Sequence, residues 1–390
     1  MLKTNFVNFD RLVFTLKNKA TKKLMKKRIT IIISDTDKSL SLEWLVTYLD
    51  QTKCLLSFII INRHDNNTAL THFLDKHHIQ YFKIHYHNKL SIPYNIWKCC
   101  GYLKKLNTTI VHTHLLDANL IGLTAARLVG IKKRIYTRHD STLHHLYHKK
   151  GVFYDHFNNW NATHIIATCQ NVHETLRIRE NVKTKKIHLI HYGFELDKFQ
   201  TNTNLNTKYN PHHQSPVIGV IARFVVWKGI QYIIPAFEKL LIQYPNAMLI
   251  LANARGPHEK EILNLLKNIP KKNYRLIPFE NDLFSLYQSF DVLIHTPIND
   301  HIEAFGQVYV EALASKTPLI CTVSGIAKEL IIDNFNAMVV AYKSSEHIFE
   351  RLVELLENKT TQKKLTKNGL NSVASFQLLH MIHKLEKLYA

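Results

Sequence analysis

From Arg28 onward, short apolar runs alternate with stretches whose apolar positions recur every three or four residues. The first run, residues 29–34, is β-branched and ends at Asp35-Thr36-Asp37. The pattern predicts strands at 29–34, 55–61, 81–84, 109–112, 134–137, 162–167 and 187–191. Between the first five strands it predicts helices at 40–49, 69–76, 92–106 and 118–129. Apolar strands alternating with amphipathic helices form a parallel sheet covered on both faces.

The rhythm stops at 200–216, a polar stretch with Asn, Thr, His and two prolines, and restarts at 217. Strands are then expected at 217–222, 247–252, 274–277, 292–295, 318–322 and 337–340. Helices are expected at 231–244, 259–267, 282–289, 307–315 and 346–357. The domain reading is therefore a first α/β domain over 28–200, a linker over 201–216 and a second over 217–390. The last helix has the option of packing back on the first domain. Doubly wound sheets bind ligands at the carboxyl ends of their strands. Two such domains facing each other place the expected site in the cleft between them.

Residues 1–27 stand apart. Phe6, Phe9, Leu12, Val13 and Leu16 recur at helical spacing, and Lys17, Lys19, Lys22, Lys23, Lys26 and Lys27 crowd the end of the segment. Such a helix can lie on an anionic membrane surface, and a solvated helix with one charged face fits equally well.

At 390 residues the chain suits two domains of about 150–200 residues each. Eleven glycines and ten prolines exclude collagen-like and low-complexity chains. No run of apolar residues is long enough for a transmembrane helix, and no signal peptide is expected. Cys54, Cys99, Cys100, Cys169 and Cys321 follow no metal or disulfide spacing and read as reduced thiols of a cytoplasmic protein. The net charge of +21 favours polyanions: nucleic acid, an anionic membrane or a phosphorylated small molecule. No nucleic-acid-binding motif accompanies it.

Two segments carry chemistry. In Glu303-Ala304-Phe305-Gly306-Gln307 through Glu311, one glutamate precedes a helix and another lies about a turn inside it. Gly306 lets a ligand approach the helix start, whose N–H groups suit a phosphate. The other segment is Arg223-Phe224-Val225-Val226-Trp227-Lys228-Gly229. An arginine at a strand end offers a planar fork for phosphate, and a nearby lysine adds a point charge.

Together and in this order, the two segments resemble the family 4 retaining glycosyltransferases of GT-B fold. Asp291-Val292-Leu293-Ile294-His295-Thr296-Pro297, Ser324-Gly325, and Glu329-Leu330-Ile331 extend the likeness. So do His112-Thr113-His114, Tyr136-Thr137-Arg138-His139 and His191-Tyr192-Gly193 in the first half. The resemblance implies a hexose-type transferase for cell-surface polysaccharide or lipopolysaccharide, with two facing Rossmann-like domains. Its partners would be a nucleotide-sugar donor and a glycan or lipid-linked acceptor, with no nucleic acid. Its expected place is the cytoplasm, with peripheral contact at the inner membrane as an option.

The same resemblance assigns roles. Arg223 and Lys228 would hold the donor diphosphate as it leaves, Glu311 the ribose, and Glu303 the transferred sugar. Phe305, Gly306 and Gln307 would complete the donor site. His139 matches the histidine near donor sugar and acceptor, and His114 and Asp35 are acceptor-side candidates. No metal and no separate cofactor are implied, the nucleotide-sugar being a co-substrate. Retention would follow from front-face attack, with catalysis resting on positioning and on stabilising the leaving group.

The chain departs from the family pattern in three places. Its first loop, Ser34 to Ser39, has no glycine; Lys316 and Ile326 stand where glycines are usual. Asp35-Thr36-Asp37 reads as a turn, not a metal motif. His144, His145 and His148 include a metal-like spacing but show no acidic partner nearby in sequence, so chance is the reading. Two alternatives stay open: a nucleotide-sugar epimerase of the same fold, and a non-catalytic basic nucleic-acid-binding protein.

Overall fold

The structure, a computed structural model, describes residues 26–63, 67–200 and 206–390. The amphipathic pattern over 1–27 therefore falls outside the described residues, apart from its final two lysines. Contacts divide the chain into a unit of Met1–Ile135 with Glu386–Ala390 and a unit of Tyr136–Leu385.

The first sheet has the strand order β3-β2-β1-β4-β5-β6-β7. Its strands are β1 (Lys27–Ser34), β2 (Cys54–Asn62), β3 (Tyr81–His85), β4 (Ile110–His114), β5 (Lys133–Arg138), β6 (His164–Ala167) and β7 (Ile187–Leu189). β1 pairs in parallel with β2 and β4, with Ile29 opposite Ile110 and Ile33 opposite His114. Ile29, Ile31, Ile32 and Ile33 are all buried. A strand covered on both faces needs apolar side chains at successive positions, which this isoleucine run supplies. In the first unit, the Tyr389 hydroxyl and His112 Nδ1 share a 2.7 Å hydrogen bond, which anchors the end of the chain.

The second sheet runs β10-β9-β8-β11-β12-β13. Its strands are β8 (Val217–Ile221), β9 (Met248–Ala252), β10 (Tyr274–Ile277), β11 (Val292–His295), β12 (Leu319–Cys321) and β13 (Met338–Val339). β8 pairs in parallel with β9 and β11. Its core gathers Ile218, Val220, Ile233, Phe237, Leu249 and Ile294.

Most expected strands and helices are present within a few residues, and the exceptions have a physical cause. The Lys149–Asn161 helix was not foreseen because its buried face is polar: Asp155, Asn158, Asn159 and Asn161 point inward, while Phe153 and Trp160 are exposed. A helix that buries polar groups lacks the apolar period that marks a helix in sequence. The Lys359–Ser372 helix buries only Leu365 and Gly369, again too few for a period. Within 201–216, Asn206–Tyr209 forms a short helix, and the Tyr209 side chain is buried. Lys316 adopts a left-handed φ of 56°, so the conformation that glycine would take freely is held here by a lysine. No helix of the described residues is long and apolar enough to cross a membrane.

Candidate active site

In the second sheet the strand order reverses between β8 and β11. The loops leaving the carboxyl ends of these two strands meet there, as expected at such a switch point. Gly229 ends the loop after β8 with a φ of 75°, and a Cβ on it would lie 1.9 Å from the Thr296 carbonyl oxygen. Only glycine fits this contact of backbone on backbone. The contact brings Lys228, from the first loop, against Glu303, from the second: Lys228 Nζ donates to Glu303 Oε1 at 2.5 Å.

This ion pair lines a pocket of about 280 Å³, together with His139, Tyr192, Trp227, Phe305 and Gln307. Glu303 is buried, and burial by itself pushes its carboxyl upward. The Lys228 ammonium outweighs burial and holds Glu303 below the usual carboxylate range. The loop that carries Glu303 is fixed from behind. Asn171 Nδ2 donates to the Glu303 carbonyl at 2.7 Å, and the Glu303 N–H donates to Ser324 Oγ at 3.2 Å. Asn171 also donates to the His301 carbonyl at 3.2 Å.

His139 follows β5 directly and shares a 2.6 Å hydrogen bond with the Tyr192 hydroxyl through Nδ1. Burial holds its imidazole down at about 4, so the ring is neutral at physiological pH. A neutral imidazole carries one ring N–H donor and one acceptor nitrogen, arranged according to the tautomer.

Beneath His139 lies a buried ion network. Arg138 donates to Asp155 and Glu180, each at 2.8 Å, and pairs with Asp140 at 3.0 Å. His144 bonds Asp155 at 2.7 Å, which raises its pKa, and His145 bonds Glu180 at 3.2 Å. His144 and His145 thus have acidic partners that the sequence reading did not find, and the Lys149–Asn161 helix brings Asp155 to His144. Asp140, His144 and Asp155 together have the composition of a metal site. The Arg138 guanidinium bonds the carboxylates of that trio and supplies the positive charge there.

The remaining expected residues fall in several places. Phe305, Gly306 and Gln307 line the pocket, with Gly306 at a φ of 82° as the cap of the Gln307–Ala314 helix. Arg223 is exposed and does not line this pocket. Glu311 also stands outside the lining, buried, and accepts a 2.6 Å hydrogen bond from the Tyr287 hydroxyl. In the first unit, His114 is buried at the end of β4, its ring 4.3 Å from that of His112. Asp35 lies past β1 with a φ of 44°, pairs with Arg63 at 3.1 Å and lines a separate polar pocket with Asp37 and Asn62. Sequence reasoning assigned no role to Tyr192, Asn171, Trp227 or His295. Tyr192 and His295 fell inside matched segments, but nothing in their spacing marked them out. Trp227 likewise lay inside a quoted segment without being singled out, and Asn171 carried no signal.

Burial raises the Glu311 carboxyl to about 7, the Tyr287 hydrogen bond opposing it. The folded protein thus holds this proton more tightly than the unfolded chain. Its stabilising effect is complete below about pH 4.5 and is lost as pH rises towards 7. Glu311→Gln is expected to remove a slope of up to about 1.4 kcal/mol per pH unit in that window. Urea unfolding at pH 5 and pH 8 checks this; equal slopes in both proteins would refute it.

Two family models match in succession: Glycosyltransferase Family 4 over residues 58–198 and Glycosyl transferases group 1 over residues 202–372. The chain belongs to the group 1, family 4 glycosyltransferases. The capsular polysaccharide biosynthesis glycosyltransferase CapM of Staphylococcus aureus is 27% identical over 72% of this chain and 76% of its own. The UDP-Gal:alpha-D-GlcNAc-diphosphoundecaprenol alpha-1,3-galactosyltransferase of Escherichia coli is 24% identical over 74% of this chain and 76% of its own. Among solved structures, Anabaena HepE in complex with UDP-glucose superposes with a TM-score of 0.77 at 18% identity, over 92% of this chain and 98% of that one. That likeness establishes the GT-B fold. The chain is thus a glycosyltransferase, and these matches favour neither the epimerase nor the nucleic-acid reading.

Proposed function

We propose that this glycosyltransferase moves a hexose-type sugar, with retention, from a nucleotide-diphosphate sugar to a glycan or lipid-linked acceptor. The observation that carries the reading is the Lys228–Glu303 pair at the switch point of the second sheet. An ammonium there suits a departing diphosphate, and a carboxylate beside it suits sugar hydroxyls. Gly306 and Gln307, at the start of a helix, line the same pocket, and the N–H groups of a helix start suit a phosphate. His139, neutral and tethered by Tyr192, is suited to a hydrogen bond near the reacting oxygen. In this reading Glu311 holds the ribose and Arg223 the diphosphate, although neither lines the pocket in this structure.

Retention is read as front-face attack, in which the acceptor hydroxyl approaches from the side of the leaving diphosphate and passes its proton to a diphosphate oxygen. No separate cofactor takes part, because the cationic side chains offset the leaving charge. The likeness to a capsular polysaccharide glycosyltransferase and to a diphosphoundecaprenol-linked galactosyltransferase supports a role in polysaccharide or glycolipid synthesis, with lipopolysaccharide as one such product. A net charge of +21 supports work at the cytoplasmic face of an anionic membrane.

The test is a panel of UDP-, GDP-, ADP- and dTDP-sugars, with nucleotide release and binding measured with and without EDTA. One donor is expected to bind and to be turned over regardless of EDTA. Glu311→Ala is expected to weaken that donor by about 10- to 100-fold. Binding of no donor at millimolar concentration would overturn the proposal.

A further inference from the structure

His295 ends β11 with its side chain 1% exposed, and neither ring nitrogen has a hydrogen-bond partner among the described residues. Buried polar groups are nearly always paired, so such a ring calls for a reason. Its surroundings supply one. The ring stands edge-on to Tyr309, with centroids 4.8 Å apart, and Nε2 lies 3.7 Å from Glu303 Oε1. That is just beyond hydrogen-bond range, and the same oxygen is held by Lys228 at 2.5 Å.

We propose that His295 is a positioning residue that takes over the Glu303 carboxylate when Lys228 turns to the donor diphosphate. The inference rests on the donor-site reading above. A lysine cannot give full strength to both a buried carboxylate and an incoming diphosphate. Once its ammonium is drawn away, Glu303 is left as a buried charge without its cation, a costly state unless another donor replaces it. A shift of less than an ångström by the carboxylate closes the gap to Nε2, whose N–H then donates to it. Glu303 is thereby kept ionised and aimed at the sugar of the bound donor. The ring's neutrality fits this role, since burial and Lys228 hold its pKa down at about 3. A neutral ring can take the tautomer with Nε2–H.

The test uses the full chain and the nucleotide-sugar that the wild type turns over. His295→Leu removes the donor in a shape the apolar strand end tolerates. His295→Gln restores an N–H near the place of Nε2. His295→Leu is expected to lower kcat/KM for the nucleotide-sugar by about 10- to 100-fold while affinity for the nucleoside diphosphate stays within twofold. His295→Gln is expected to recover most of the loss. Wild-type kcat/KM in His295→Leu would overturn the inference. So would a parallel loss of nucleoside diphosphate affinity that Gln does not rescue, because that is the signature of packing alone. A wild type that turns over no nucleotide-sugar would overturn the transfer reading instead, which separates the two failures.

Discussion

Lys228→Ala is expected to lower sugar transfer by about 10²- to 10³-fold. Two effects act in the same direction. The first is loss of the cation that meets the diphosphate. Negative charge develops on the leaving group in the transition state, and a fixed ammonium in a partly dry pocket stabilises it without reorganisation. The second is the fate of Glu303. Burial pushes its carboxyl upward, and the Lys228 ammonium is the leading force holding it down. Without that ammonium Glu303 loses its main cationic partner and is aimed less firmly at the sugar hydroxyls. The loss is therefore expected in kcat as well as in donor affinity. Steady-state kinetics with the preferred donor measure it. A variant that retains more than a tenth of wild-type kcat/KM would remove Lys228 from the site. Lys228→Arg is expected to rescue only in part, because a broad fork does not match a point contact on one Glu303 oxygen.

Arg138→Leu is expected to have the largest effect on stability, a loss of about 3–5 kcal/mol. The guanidinium is enclosed and bonded to Asp155, Glu180 and Asp140. Removing it leaves several carboxylates in the interior, with His144 and His145 as their remaining cationic candidates. Breaking a buried pair by deleting one partner is far more damaging than replacing the whole group by neutral residues. The triple variant Arg138→Leu, Asp155→Asn, Glu180→Gln should therefore recover part of the loss. Urea unfolding measures both; a single variant that loses less than about 1 kcal/mol would show that the network carries little. Because His139 follows Arg138 directly, the single variant is also expected to lose transfer activity by disturbing the His139–Tyr192 bond.

Much of this was legible in the chain itself, for a reason particular to parallel sheets. The 29–34 and 217–222 runs are apolar at successive positions, so their burial on both faces is written locally. The Lys228-Gly229 and Glu303-to-Glu311 segments were legible by resemblance, and they fall on the loop after β8 and on the loop and helix after β11. The Lys149–Asn161 helix was not legible, because it buries asparagines and an aspartate whose partners come from elsewhere.

By itself, then, the sequence determined the α/β class, the two successive doubly wound sheets and the loops that carry the charged residues. Local apolar periodicity suffices for these, since each strand and most helices declare their buried faces residue by residue. Only the tertiary structure decided which charges meet. Lys228 contacts Glu303 because Gly229 lets two loops touch backbone to backbone. Glu311 withdraws to Tyr287, and Arg138 gathers acids from three separate segments. Apart from Arg138–Asp140, these pairings join residues well separated in the chain, and the energy of a buried charge depends on what surrounds it, which no local pattern encodes.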